Sequence, residues 1–257
     1  MLACTRTGAG VPLMLLHAFP LSSAMWDAQR GGLSRECEVI TPDQRGFGES
    51  AQLLDGAEPS LYVLVDDLAE LLDQLELDRV VLGGLSMGGY VAMAFLRRHP
   101  DRVRGLVLAN TKASRDTPEA ADNRRRIASA VETAGSSEPL LDTVAPNLLG
   151  TRSRADRPEL ARAVERMTLA APYQAVAWAQ RAMAARDDSF DVLAGLQIPV
   201  QVIAGEDDAL MDASEAQAMA SAVPHGELTT LSNVGHLSAM EAPAHFNAAV
   251  SDLVKRA

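Results

Sequence analysis

Basic charge is what this sequence has least of relative to its needs as a binder of polyanions. Across 257 residues, 23 lysines and arginines stand against 34 aspartates and glutamates, a formal charge of −11. A nucleic-acid binder draws affinity from phosphate neutralisation and needs a basic face. The one local cluster, Arg124-Arg125-Arg126, falls in a helical pattern and reads as a solvated helix face. Cysteine is nearly absent. Cys4 and Cys37 stand far apart and in no metal-ligand spacing, which argues against a disulfide scaffold and fits a reducing compartment. Long apolar runs are missing as well. Residues 11–16 form the longest early run, too short to span a bilayer, and no basic-then-apolar leader precedes it. The expectation is a soluble, cytoplasmic protein with neither nucleic acid nor membrane as partner. Aromatics are only 4% of the chain, so a Trp or Tyr near a candidate site is informative.

What is present is an ordinary globular mixture, 47% apolar and 22% charged, of a length that suits one sizeable domain. Short apolar runs at 12–16, 38–41, 79–82, 103–109, 200–204 and 227–231 read as buried strands. Between them lie amphipathic helical stretches at 62–77, 89–98, 213–222 and 243–254. Strand–helix alternation of this kind predicts an α/β fold with a mostly parallel, doubly wound sheet. From about 111 to 192 the strand rhythm stops and Ala- and Arg-rich helical patterns take over, divided by Gly135, Pro139, Pro146, Gly150, Pro158 and Pro172. The chain therefore divides into a core of residues 1–110 and 193–257 and a helical cap insertion of residues 111–192.

The strongest local signal is the run from Val80 to Tyr90, in which a strand pattern meets Gly84-Leu85-Ser86-Met87-Gly88 and then a helix. A serine on so tight a strand-to-helix turn takes a strained backbone, and the residues two before and two after it crowd each other. Glycine at 84 and 88 relieves that crowding. The turn would lift Ser86 above the sheet's carboxyl edge at a helix start, where free N–H groups face a developing oxyanion. Gly83–Gly88 lacks the Lys-Ser/Thr of a phosphate loop and the spacing of a dinucleotide turn. No metal-ligand cluster is visible either, so no cofactor and no metal is implied.

Together with four other segments, this elbow resembles the α/β-hydrolase fold, in particular its cap-bearing esterase and lactonase group. The segments are His17-Ala-Phe-Pro20, Asp43-Gln-Arg-Gly-Phe-Gly-Glu-Ser50, Gly205-Glu-Asp-Asp208, and Gly235-His236 with Glu241-Ala-Pro243 behind it. The resemblance spans almost the full chain and is nearest in look to the 3-oxoadipate enol-lactonase type. It implies that Ser86 is the nucleophile and that acid and base follow it in chain order. Among histidines 17, 99, 225, 236 and 245, that order and the loop after the last strand select His236 as base. Glu206, Asp207 and Asp208 crowd the acid position. Similar proteins use the last residue of Gly-x-x-Asp, which selects Asp208, with Asp207 as the rival. Some relatives carry the acid one strand earlier, where this chain has Asn110-Thr111-Lys112 and no carboxylate.

The resemblance further implies an oxyanion hole from the backbone N–H groups of Met87 and Phe19. Similar proteins usually carry glycine at the position of Ala18. His17 would anchor that loop, and the Asp43–Ser50 segment would be a structural turn. Relatives with a full eight-stranded sheet have two strands before the run at 12–16; residues 2–6 are the candidate for one of them. The implied partner is a small-molecule acyl ester or lactone. Thioesterase, C–C hydrolase, aminopeptidase, haloperoxidase or perhydrolase, and lyase chemistry use the same triad and stay open, as does a catalytically idle receptor for a small ligand. Met167, Leu169, Tyr173, Val176, Trp178 and Met183 are candidates for an apolar roof or for the cap's own core. Trp178, Tyr173 and Trp26 are the candidate substrate-binding residues, and an apolar lining favours a small or medium acyl ester over a highly charged substrate. No pattern specifies an oligomeric state.

Overall fold

The structure, a computed structural model, describes residues 1–54 and 56–257. Seven strands form one sheet: β1 (Cys4–Thr7), β2 (Pro12–Leu16), β3 (Glu38–Pro42), β4 (Val80–Leu85), β5 (Val103–Ala109), β6 (Val200–Gly205) and β7 (Gly226–Leu231), in the order β1-β3-β2-β4-β5-β6-β7. The segment near the N-terminus does supply an edge strand. It runs antiparallel to β3, with Cys4 opposite Pro42, whereas all other pairs are parallel.

The helices are α1 (Asp27–Leu33), α2 (Leu61–Gln74), α3 (Met87–Arg98), α4 (Pro118–Ala134), α5 (Leu140–Thr143), α6 (Thr151–Asp156), α7 (Pro158–Ala170), α8 (Tyr173–Ala184), α9 (Phe190–Ala194), α10 (Ala213–Ala222), α11 (Ser238–Glu241) and α12 (Pro243–Val254). Alternation along the buried strands explains why both sheet faces are covered. In β2, Leu13 and Leu15 join a core with α1 and α12, while Met14 and Leu16 join one with α2, α3 and α8. In β4, Val81 and Leu85 face the first core, and Val80 and Leu82 the second. Between β5 and β6 the described chain is helical, from α4 to α9, and α4 packs lengthwise on α8. The boundary drawn at residue 192 falls inside α9. Among the described residues no helix is long and apolar enough to cross a membrane.

Register brings the strand ends level. Leu16 pairs with Gly84, Leu85 with Ala109, Ala109 with Ile203, and Gly205 with Leu231. The loops after β2, β4, β5, β6 and β7 therefore open at one edge. The order in which successive strands join the sheet reverses between β2 and β4, the kind of crevice where α/β sheets bind ligands.

The Asp43–Ser50 segment is a structural turn. Asp43 accepts from the N–H groups of Ser23 (2.7 Å) and Glu49 (2.9 Å), and Ser50 Oγ accepts from Ala3 N (2.9 Å). Arg45 is held by Asp67 through Nε (2.7 Å) and Nη2 (2.6 Å).

Candidate active site

Ser86 sits between β4 and α3 with φ 55° and ψ −113°, a left-handed conformation that a serine rarely adopts. The flanking glycines are sterically required. A Cβ at Gly84 would lie 2.1 Å from the carbonyl carbon of Gly88, and one at Gly88 would lie 2.2 Å from Leu16 O. The turn is tied down on both sides. Ser86 N donates to Ala109 O (2.9 Å), and Thr111 Oγ1 donates to Ser86 O (2.9 Å). Met87 is the first residue of α3, so its N–H belongs to the turn whose donors have no intrahelical acceptor.

His236 and Asp208 meet from the loops after β7 and β6. His236 Nδ1 lies 2.9 Å from Asp208 Oδ2 and 3.0 Å from Oδ1, with both side chains almost fully buried. Asp208 Oδ1 also accepts from the N–H groups of Leu210 (2.9 Å) and Met211 (3.2 Å). Burial opposes ionisation of Asp208, but the His236 ring and these hydrogen bonds outweigh it and hold the carboxyl below its usual value. Asp207 and Glu206 are exposed, and Glu206 accepts from Asn233 N (3.2 Å). Of the other histidines, His225 and His245 are exposed, and His99 packs against Phe95 with ring centroids 4.9 Å apart.

His17 is fully buried and clamps two loops. Its Nδ1 donates to Ala18 O (3.0 Å), and its Nε2 accepts from Gln44 N (3.0 Å). Burial lowers its pKa, so the neutral ring is the form that satisfies both bonds. Ala18 carries no left-handed backbone, so alanine in place of the expected glycine is unstrained; its N–H is directed to Met25 Sδ (3.2 Å).

Three polar residues behind the pair were not singled out as functional from sequence. Asn110 follows β5 with φ 44° and is buried. Its Nδ2 donates to Asp208 Oδ2 (2.9 Å) and Gly235 O (3.2 Å), and its Oδ1 accepts from Ser238 Oγ. Glu241 is also buried, and its carboxylate accepts from the N–H groups of Gly150 (3.0 Å), Gly235 (3.1 Å) and Leu237 (3.2 Å), on both sides of His236. Thr111, described above, is the third. Asn110→Gly, which keeps the backbone angle and removes the amide, is expected to lower kcat about tenfold, the worth of a hydrogen bond to a charged group. KM should stay within about twofold, because Asn110 holds Asp208 and not the ligand. Steady-state kinetics with a circular dichroism control checks this; a less stable variant with unchanged kcat would contradict it.

Ser86, His236 and Phe19 line one cavity of about 220 Å³. Its other walls include Ile127, Val144, Leu148 and Met183, but also Lys112, Asp116 and Arg124. The expected apolar lining is thus only partly present. Arg124 is not on a solvated face: its Nε donates to the buried Asp116 (2.5 Å), while Arg125 and Arg126 are exposed. Trp26, Tyr173 and Trp178 do not line this cavity. Trp26 is fully buried beside Phe246, with ring centroids 5.8 Å apart, and Trp178 Nε1 donates to Ala57 O (2.6 Å). Tyr173, the first residue of α8, is half-buried against the core. Of the six roof candidates only Met183 reaches the cavity; Val176 is core, Leu169 is exposed, and Met167 borders a separate groove against α1.

Asp116 is contacted by Arg124, by Arg186 Nη1 (2.8 Å) and by Lys112 Nζ (3.2 Å). Burial opposes its charge, yet the Arg124 and Arg186 guanidiniums lower its pKa to about 2. Its stabilising contribution is therefore fully present above the ordinary value of 3.8 and is lost as pH falls through about 2. Asp116→Asn should lower the urea midpoint by a constant amount between about pH 7 and pH 5, and the gap should narrow below about pH 4. A gap independent of pH would contradict the ion-pair account.

The alpha/beta hydrolase fold family model matches residues 11–243. A thermophilic esterase from Thermogutta terrifontis, solved with malate bound, is 42% identical with a TM-score of 0.94, over 99% of this chain and 93% of that one. 3-Oxoadipate enol-lactonase 2 of Acinetobacter baylyi is 27% identical over 95% of this chain and 88% of its own. 2-Hydroxymuconate semialdehyde hydrolase of Pseudomonas sp. strain CF600 is 41% identical, but over 105 residues that span 40% of this chain and only 37% of that protein. Among the described residues no group of three or more His, Cys, Asp or Glu is placed to hold a metal ion.

Proposed function

Because this chain belongs to the alpha/beta hydrolase fold family, we propose that it is a serine hydrolase cleaving carboxylic esters or lactones through an acyl-enzyme on Ser86. The observation that carries the reading is that His236, hydrogen-bonded to Asp208, lines one cavity with a serine on a strained strand-to-helix turn. Nδ1 of His236 is committed to Asp208, which leaves Nε2 as the ring nitrogen that exchanges protons.

In this reaction Ser86 Oγ attacks the acyl carbon while its proton passes to His236 Nε2. The carbonyl π electrons move onto oxygen, where the N–H groups of Met87 and Phe19 stabilise the charge. Collapse of the tetrahedral adduct breaks the bond to the alkoxy oxygen, which leaves with the proton from His236. Water, deprotonated by the same nitrogen, then attacks the acyl-enzyme. A second collapse releases the carboxylic acid and returns the proton to Ser86. Asp208 stays ionised throughout and stabilises the imidazolium. The esterase and enol-lactonase relatives support the substrate class. The free cysteines Cys4 and Cys37 fit a reducing cytoplasm as its compartment.

A cavity of about 220 Å³ is smaller than the pockets of drug-sized ligands, which run from about 300 to 1,000 Å³. The test is a series of p-nitrophenyl esters and simple lactones. Acetyl to butyryl esters should be turned over, with kcat/KM for a decanoyl ester lower by about tenfold or more. Absence of turnover across the whole panel would count against the reading.

A further inference from the structure

The cap side of the Ser86 cavity holds an excess of positive charge in a chain whose overall charge is −11. Lys112, Arg124 and Arg186 surround the single carboxylate of Asp116, which can neutralise only one of them. Arg186 is buried and engaged through both of its Nη atoms, while its Nε has no hydrogen-bond partner among the described residues. Besides Asp116 it donates to Met183 O (3.1 Å) and Ser114 O (2.8 Å), and its guanidinium lies 4.1 Å above the Tyr90 ring. Lys112 and Arg124 differ: their side chains are 21% and 19% exposed, and both line the cavity that Ser86 and His236 line. Among the described residues, Arg124 Nη1 has only long contacts to neutral groups, Gln180 Oε1 at 3.3 Å and Met183 Sδ at 3.5 Å.

Among the described residues neither of the other carboxylates near the cavity forms an ion pair with Lys112 or Arg124: Asp208 is hydrogen-bonded to His236, and Glu215 Oε1 accepts from Ser114 Oγ (2.5 Å). Apolar walls from Ile127, Val144 and Leu148 keep the local dielectric low, which strengthens the field of an unneutralised cation. A second carboxylate on the ligand would supply the missing counter-charge through charge-assisted hydrogen bonds.

We propose that Lys112 and Arg124 form a carboxylate-recognition subsite, so that the preferred substrate is a short ester or lactone whose acyl chain carries an ionised carboxyl group. This rests on the ester and lactone reading of the same cavity. Lys112 acts as a partly solvated point charge, and Arg124 offers the outer edge of a guanidinium that Asp116 holds in place. The subsite selects substrate and takes no part in bond breaking.

The test compares monoethyl glutarate with ethyl pentanoate, in which a methyl group replaces the carboxylate, with hydrolysis followed in a pH-stat. Wild type should favour the anionic ester by about tenfold or more in kcat/KM, the scale of one charge-assisted hydrogen bond. Lys112→Met should reduce that ratio by about tenfold, and Lys112→Arg should preserve it. Arg124→Gln should also reduce it, with Arg186 still paired to Asp116. A wild-type ratio at or below one, or a ratio unmoved by Lys112→Met and Arg124→Gln, would overturn the proposal. If neither ester is cleaved and a fluorophosphonate fails to label Ser86, the hydrolase reading has failed instead. Calorimetric titration with free glutarate then decides the subsite. Binding weakened about tenfold in Lys112→Met upholds it, and equal affinity or no binding to wild type rejects it.

Discussion

Replacement of Ser86 by alanine is expected to reduce kcat for a short-chain ester by about 10⁵- to 10⁶-fold, the scale seen when a triad nucleophile is removed. The fold should survive the change. Ser86 already holds φ 55° with a Cβ, and its neighbours are fixed through backbone atoms, Ser86 N to Ala109 O and Thr111 Oγ1 to Ser86 O. Alanine keeps both bonds and deletes only the hydroxyl. Residual turnover about 10³-fold above the uncatalysed rate would remain from oxyanion stabilisation and ligand positioning. A thermal melt close to wild type, with activity near background, is the expected pair of results. Activity within tenfold of wild type would place the nucleophile elsewhere.

Asp208→Asn is expected to cost about 10⁴-fold in kcat with little effect on KM. The reason lies in the direction of the protons. Asp208 accepts from His236 Nδ1, Asn110 Nδ2, Leu210 N and Met211 N. An asparagine has one acceptor oxygen for these four donors. If that oxygen stays with Leu210 and Met211, the amide NH₂ faces His236 and drives its proton to Nε2. A ring protonated at Nε2 cannot take the proton of Ser86. The same NH₂ opposes the Asn110 amide, so part of the loss is positional. In wild type, the lowered pKa of Asp208 keeps it ionised below its ordinary value of 3.8. Any acid limb of the wild-type pH–rate profile above about pH 4 should therefore belong to another group. A variant that keeps more than about a tenth of wild-type kcat would contradict this role for Asp208.

The α/β sheet was legible because its signals are local. Runs such as 12–16, 103–109 and 200–204 are apolar on both faces, and the structure begins strands at the same residues. The Ser86 turn was legible for the same reason. Gly84 and Gly88 are required by contacts within five residues and against Leu16, so spacing alone announces them. The polar support behind Asp208 was not. In the sequence Asn110 marks only the lack of a carboxylate after β5, and its partners Asp208, Gly235 and Ser238 lie 98 to 128 residues further along. A side chain whose partners are that distant leaves no periodic trace.

In the cap, one helical stripe can face two ways, and sequence leaves both open. Trp178 and Val176 look alike as a roof or as core, and the Trp178 hydrogen bond to Ala57, 121 residues away, is what turns the indole from the cavity. Arg124 resembled its neighbours Arg125 and Arg126. Its partner Asp116 precedes α4, whose N-cap at Thr117 folds the two together, and Arg186 comes from beyond α8. The result is a cationic wall where composition suggested an apolar one.

The measurement that bears most directly on the central claim is intact-protein and peptide mass spectrometry after treatment with a fluorophosphonate. One phosphonyl group per chain is expected, on the peptide containing Ser86, with loss of ester hydrolysis in proportion to labelling and protection by a competing short-chain ester. Label on any other residue, or hydrolysis that continues undiminished after Ser86 is fully labelled, would contradict the serine-hydrolase account.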